Sequence, residues 1–128
     1  PDSIFTIAKV LELIVESGKS LTQLLNDIPN YPFYRQSIRL KDDIPFTREI
    51  NEKIIEIMQQ SFDSSNKEIL RINQLDGVRF DYDDGWILIR RSGTSPYLRI
   101  SGESNISMEK SIEVNKIAKH NMQRLNLI

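Results

Sequence analysis

The residues best suited to chemistry lie in one stretch, Arg-Arg-Ser-Gly-Thr-Ser-Pro-Tyr-Leu-Arg at positions 90–99. Between Gly85 and Gly102 the chain has three arginines and no acidic residue. A guanidinium group presents a planar fork that fits two phosphate oxygens, and serine and threonine hydroxyls rotate to add further donors. Gly93 lets backbone N–H groups approach an anion because it lacks a Cβ, and Pro96 stiffens the exit of the turn. These features fit an anion-binding turn, but they are more often found in an ordinary turn between strands, and residue chemistry alone leaves both interpretations open.

Other candidate groups carry less information. Asp83 and Asp84 are adjacent carboxylates, but directly before Gly85 they are more typical of a hairpin turn than of a divalent-cation site. His120 lies in a predicted helix with no cysteine or serine nucleophile beside it, which favours a solvent-facing or capping histidine. The chain has no Walker loop with its lysine and no dinucleotide-binding glycine triplet.

Composition argues against several classes of function. The 128 residues include 17 basic and 18 acidic side chains, so no global field attracts the chain to nucleic acid or to an anionic membrane. No apolar run approaches the roughly 18 residues of a membrane span, and the first residues do not show the basic-then-apolar pattern of a secretory signal. The absence of cysteine rules out a disulfide framework and fits a reducing compartment, so we expect a cytoplasmic protein without membrane or nucleic-acid partners.

A sheet with two helices is predicted to position the candidate turn. Alternation of Val78, Phe80 and Tyr82 with polar residues predicts a strand, and Asp84-Gly85 is predicted as a two-residue hairpin loop with positive φ. Further strands are expected at residues 34–41, 68–72, 86–90 and 97–102, and helices are expected after the N-caps Thr47 and Ser107. Strands joined by hairpins favour an α+β fold in which an antiparallel sheet has helices packed on one face.

The N-terminal segment has a different residue pattern, which predicts helices. Residues 4–16 form an apolar helix with a narrow polar stripe, Gly18 supplies a left-handed stop, and residues 21–26 form a second short helix after Ser20. Two prolines between positions 29 and 32 then indicate a linker or hinge. A helix that is apolar nearly all round requires burial, so we expect self-association through it.

The motif at residues 84–99 resembles the signature of the last domain of the α-D-phosphohexomutases, Arg-x-Ser-Gly-Thr-Glu-Pro-x-x-Arg. The matching positions are Arg90, Ser92, Gly93, Thr94, Pro96 and Arg99. Ser95 departs from the pattern, because it stands where the family has glutamate. Asp76-Gly77-Val78 is similar to the family's strand entry, and the N-terminal helix with Ser-Gly-Lys-Ser-Leu-Thr-Gln-Leu-Leu resembles the end of its third domain.

The resemblance implies a third-domain remnant at residues 1–28, a linker at residues 29–35 and a C-terminal phosphate-binding domain at residues 36–128. The implied fold of that domain is the α+β fold of the TATA-box-binding protein. Because that fold also occurs in proteins that lay a sheet on DNA, a free-standing interaction or nucleic-acid-binding module is the alternative. Balanced charge and few exposed aromatic residues argue against this alternative.

The resemblance also implies a function, the intramolecular transfer of phosphate on a hexose phosphate, such as mannose, glucose or glucosamine phosphate. Its phosphoserine and magnesium motifs are missing here, so we expect no cofactor in this chain, magnesium in the full-length enzyme and no activity of this chain alone. By the resemblance, Arg90, Ser92, Gly93 and Thr94 grip the non-reacting phosphate, with Arg99 as a secondary contact. Arg91 occupies the variable position and is expected on the opposite side of the strand. The remaining enzyme domains are the expected partners.

Overall fold

The computed structural model describes residues 2–41 and 44–128, so that Pro1, Asp42 and Asp43 lie outside the described residues. The chain divides into two compact units, Pro1–Asn30 and Tyr31–Ile128. Across the described ranges, no helix combines the length and the apolar character needed to cross a membrane.

The first unit contains two helices whose ends follow from local sequence signals. Helix α1 (Ser3–Ser17) begins where the Asp2 carboxylate accepts a hydrogen bond from the Phe5 N–H and ends at Gly18, whose φ is 63°. Helix α2 (Leu21–Asn26) begins at a capping box formed by Ser20 and Gln23. No described residue of either helix is buried. The exposed large apolar side chains include Ile4 of α1, which is 82% exposed. Self-association through α1 stays a prediction.

The second unit is a five-stranded antiparallel sheet with two helices. Its elements are β1 (Phe33–Arg39), α3 (Arg48–Ser64), β2 (Ile69–Asn73), β3 (Val78–Tyr82), β4 (Gly85–Arg91), β5 (Tyr97–Ser104) and α4 (Met108–Arg124). The strand order is β1-β5-β4-β3-β2. Thr47 and Ser107 cap α3 and α4 with their hydroxyls, as the sequence predicts. The predicted α+β class, with an antiparallel sheet and helices on one face, is confirmed.

The core lies between the sheet and the two helices. It combines alternate strand residues with one face of each helix, among them Val78, Phe80, Tyr82, Ile87, Ile89, Leu98, Ile100, Ile54, Met58, Phe62, Val114, Ala118 and Met122. The Phe62 ring meets the rings of Phe80 and Tyr82 edge to face, with centroids 5.9 and 5.4 Å away. These contacts fix α3 on the sheet.

The intervening strand residues point to the other side of the sheet, because side chains alternate along a strand. Cross-strand register places six arginines from all five strands on this side: Arg35, Arg39, Arg71, Arg79, Arg90 and Arg99. We call it the arginine face. The fold therefore separates an apolar covered face from a basic one.

Two sequence-based boundaries are corrected by the register. The loop of the β3–β4 hairpin consists of Asp83 and Asp84, neither with positive φ, while Gly85 is the first residue of β4 and pairs with Tyr82. Glycine is needed there because a Cβ would lie 2.0 Å from the Glu103 carbonyl oxygen of the neighbouring strand. Likewise β1 pairs with β5 from Phe33 onward, so three residues predicted as linker belong to the strand.

Candidate functional site

The candidate turn joins β4 to β5 and is closed by its own backbone. The Ser92 N–H donates to the Tyr97 carbonyl oxygen and the Tyr97 N–H donates to the Ser95 carbonyl oxygen, each at 2.8 Å. The Pro96 carbonyl oxygen accepts a hydrogen bond from the Leu40 N–H at 3.0 Å, which attaches the turn to the segment after β1. The hairpin end is thus held on both sides before any ligand binds.

Ser92 and Ser95 form a hydroxyl pair inside the turn. Ser92 is only 1% exposed, and its hydroxyl accepts a hydrogen bond from the Ser95 hydroxyl at 3.0 Å. In this arrangement Ser92 stabilises the turn, and its hydroxyl must rotate outward to reach an anion. Ser95, which replaces the glutamate of the motif, supplies the partner that holds it.

The tip of the turn is open. Gly93 and Thr94 are exposed, and a Cβ built on Gly93 meets no atom within 4 Å. A concave surface of about 420 Å³ is lined by Arg91, Gly93, Thr94, Ser95 and Pro96. The tip has room for an anion beside backbone and hydroxyl donors.

Arg90 and Arg99 lie directly opposite each other on β4 and β5, on the arginine face. The Arg90 Nη1 lies 3.2 Å from the Asp76 Oδ2, and no ion pair joins Arg99 to any described residue. Like charges at opposing positions repel, so a neighbouring anion stabilises such a pair. The pair therefore offers one partly neutralised guanidinium group and one that has no carboxylate partner among the described residues.

The predicted site residues divide between two sides of the hairpin end. Arg90 and Arg99 meet on the arginine face, whereas the concave surface beside Gly93 and Thr94 includes Arg91 and not Arg90. Ser92 lies inside the turn between them. The structure thus brings the predicted residues to one end of the sheet without collecting their side chains on a single surface.

The weaker candidates have structural roles or no partners for chemistry. Asp84 accepts a hydrogen bond from Lys67 at 3.0 Å, and the Lys67 Nζ lies 5.2 Å from the centroid of the Tyr82 ring. His120 is exposed on α4, as predicted. Within residues 2–41 and 44–128, no group of three or more histidine or acidic side chains could hold a metal ion.

Three features near the site were not predicted from the sequence. Asp76 pairs with Arg90 from 14 positions away, Ser95 holds Ser92, and Arg91 lines the concave surface. The motif itself pointed to Ser95, since this position departs from the family pattern. No sequence signal distinguished Asp76 as a partner of Arg90, because their pairing depends on strand register.

The chain is similar to known proteins over most of its length. Residues 46–118 match the family model described as "Phosphoglucomutase/phosphomannomutase, C-terminal domain". A phosphoglucosamine mutase of Methanocaldococcus jannaschii is 32% identical over 124 residues, which cover 92% of this chain and 26% of that protein. A phosphoglucomutase/phosphomannomutase of Thermococcus kodakarensis is 32% identical over 112 residues, which cover 88% of this chain and 22% of that protein.

A solved structure has the same fold. The chain is similar, with a TM-score of 0.52 and 23% identity, to a phosphoglucomutase/phosphomannomutase family protein of Burkholderia thailandensis. The match covers 80% of this chain and 19% of that one. This chain spans about a quarter of the length of the curated relatives it matches.

Proposed function

The chain belongs to the phosphoglucomutase/phosphomannomutase family as a C-terminal domain, and from this membership we propose that its β4–β5 turn binds the phosphate group of a hexose phosphate. The resemblance drawn from the motif at residues 84–99 is thereby confirmed at the level of the family. The phosphate in question is the one that does not react while the other is transferred. The full-length protein is proposed to be a phosphohexomutase, and this chain alone is expected to be inactive.

One observation carries the proposal: an open glycine and hydroxyl tip lies at the end of a hairpin whose strands hold Arg90 opposite Arg99. Two guanidinium groups supply charge and planar donor forks, while the Gly93 backbone and the Thr94 hydroxyl supply neutral donors. Arg90, Gly93, Thr94 and Arg99 are the proposed contacts. Ser92 is proposed as a further contact once its hydroxyl turns away from Ser95.

The proposed contribution of these residues is binding and orientation. Phosphoryl transfer depends mainly on positioning and on stabilising charge, so a domain that fixes one phosphate places the other at the reacting groups. Magnesium stays a proposal for the full-length enzyme, where it would supply charge neutralisation at the transferred phosphate. No side chain described in this chain is assigned to it. Cytoplasmic localisation likewise stays a prediction.

The arginine face is the feature that favours the alternative, a nucleic-acid-binding module. Two of its aromatic rings, however, pack against arginines: the Arg79 guanidinium lies 4.4 Å from the Trp86 ring centroid, and that of Arg35 lies 5.3 Å from the Phe33 ring centroid. A ring that packs against a guanidinium group has less of its surface available to stack on bases. The phosphate-binding function is therefore the better supported one.

The decisive experiment compares two neighbouring arginines in the full-length enzyme. Arg90→Ala should lower kcat/KM roughly ten- to a hundredfold, since a charged hydrogen bond contributes about 1.5 to 3 kcal/mol. Arg90→Lys should recover part of the loss, because an ammonium group lacks the planar fork. Steady-state kinetics with mannose, glucose and glucosamine phosphates measures both effects.

Arg91→Ala is the matched control, and its loss in kcat/KM should be much smaller. If Arg91→Ala is as damaging as Arg90→Ala, the phosphate binds in the concave surface on the other side of the hairpin end. If neither variant affects kinetics, the turn does not bind the substrate phosphate at all.

A further inference from the structure

The segment between β2 and β3 places one carboxylate beside the proposed phosphate ligand Arg90. The Asp76 Oδ2 accepts a hydrogen bond from the Arg90 Nη1 at 3.2 Å. One carboxylate oxygen contacts one terminal nitrogen, so the other N–H groups of the guanidinium remain available for a second anion. The geometry is that of a partial contact rather than a complete bidentate pair.

Gly77 fixes the backbone next to this carboxylate. Its φ is +83°, and a Cβ there would lie 2.4 Å from the Ile89 carbonyl oxygen and 2.6 Å from the Arg90 Cβ. The chain therefore passes directly against the backbone of Arg90, in a conformation that L side chains rarely adopt. Asp76 immediately precedes this contact, so the backbone fixes the start of its short side chain close to β4.

The charges around Arg90 indicate what the Asp76–Arg90 ion pair does. Arg99 lies directly opposite and repels the Arg90 guanidinium, which favours conformations that turn away from the shared surface. Asp81, the carboxylate next along the arginine face, is engaged by Arg79 at 2.7 Å. Within the described parts of the chain, the carboxylate paired with Arg90 is Asp76.

The exposure of the Asp76 and Arg90 side chains argues against a mainly stabilising role for their ion pair. The Asp76 side chain is 71% exposed and that of Arg90 is 31% exposed, and ion pairs in such surroundings contribute little to folding. A contact held in place by a constrained glycine, yet of small value for stability, fits the positioning of a side chain for a ligand.

We propose that Asp76 is a positioning residue: it holds one terminal nitrogen of Arg90 so that the rest of the guanidinium group faces the substrate phosphate beside Arg99. This inference rests on the proposed function of the turn. Losing the carboxylate leaves Arg90 free to adopt conformations that do not reach the phosphate, so binding weakens while the domain stays folded.

The test uses Asp76→Asn in the full-length enzyme, because asparagine keeps the shape and removes the charge. The variant should raise KM for the sugar phosphate and lower kcat/KM about three- to tenfold, with an unchanged unfolding midpoint. Asp81→Asn is the matched control, a neighbouring carboxylate on the same face that pairs with Arg79, and its kcat/KM should stay within about twofold of the parent enzyme.

A double-mutant cycle separates the two proposals. If Asp76 acts through Arg90, adding Asp76→Asn to Arg90→Ala should cause no further loss in kcat/KM. Full additivity of the two losses, or an unchanged KM and kcat for Asp76→Asn while Arg90→Ala is damaging, would overturn the positioning role alone. An Arg90→Ala enzyme with unchanged kinetics would instead overturn the proposed function on which this role rests.

Discussion

The two faces of the sheet consist of alternate residues of the same strands and differ in composition and burial. On the covered face Phe80 and Ile89 are fully buried against α3 and α4. On the arginine face the intervening residues of β3 and β4 include the charged Arg79, Asp81 and Arg90, and Arg90 lies opposite Arg99 of β5. The comparison teaches that alternation alone divides each strand between residues that pack the core and residues that remain outside it, so that one set can change with little effect on the other.

Two phenylalanines on opposite sides of the sheet, Phe62 of α3 and Phe33 of β1, test this division with the largest expected effect. Phe62→Ala removes a fully buried ring that packs on Phe80 and Tyr82, so it should lower the free energy of unfolding by about 3 to 5 kcal/mol. Phe33→Ala removes a ring that is 41% exposed on β1, so its cost should be about 1 kcal/mol. Urea unfolding followed by circular dichroism compares the two. Equal losses would mean that the faces do not differ in their contribution to stability.

Two glycines sharpen the comparison at the level of the backbone. Gly77→Ala places a methyl group 2.4 Å from the Ile89 carbonyl oxygen at a φ of +83°, and should cost roughly 2 to 4 kcal/mol. Gly93→Ala meets no atom within 4 Å and should leave the free energy of unfolding within about 0.5 kcal/mol of the parent. Thermal unfolding of both variants measures the difference. A destabilised Gly93→Ala protein would show that the turn is not open as described.

The smallest effect concerns pH and the covered face. Burial raises the pKa of the Tyr82 phenol well above its usual range, with added contributions from the charges of Asp84, Asp83 and Glu113. The Tyr82 phenol therefore ionises first in the unfolded chain, near pH 10. The contribution of the un-ionised phenol to the free energy of unfolding is fully present below that pH and is lost as the pH rises towards the folded-state pKa.

Tyr82→Phe removes that ionisation. Its stability should be close to that of the parent at pH 7, because the phenol donates only a long 3.5 Å hydrogen bond to the Glu103 carbonyl oxygen. Between pH 9 and pH 11 the variant should lose less stability than the parent. Denaturant titrations of both proteins at several pH values measure this difference. The ionisation of the lysines affects both proteins alike, so it cancels in the comparison. Parallel losses in both proteins would contradict a buried Tyr82 phenol.

Local sequence signals determined much of the fold. The hydroxyl N-caps Thr47 and Ser107, the left-handed Gly18 and the alternation in β3 each depend on residues within one turn or strand, so the sequence contains all the information. The boundaries that failed depend on a neighbouring strand. Glycine is required at position 85 because the Glu103 carbonyl group of β5 leaves no room for a Cβ. Strand β1 begins at Phe33 because its pairing with β5 begins there.

The candidate site divides in the same way. The sequence by itself determined that positive charge, hydroxyls and a glycine gather at residues 90–99, because that concentration lies in one continuous stretch. Only the tertiary structure decided that Arg90 faces Arg99, that Asp76 holds Arg90, and that Ser95 keeps the Ser92 hydroxyl inside the turn. The physical reason is that strand register sets which side chains meet, and a shift of one residue moves every side chain to the other face of the sheet.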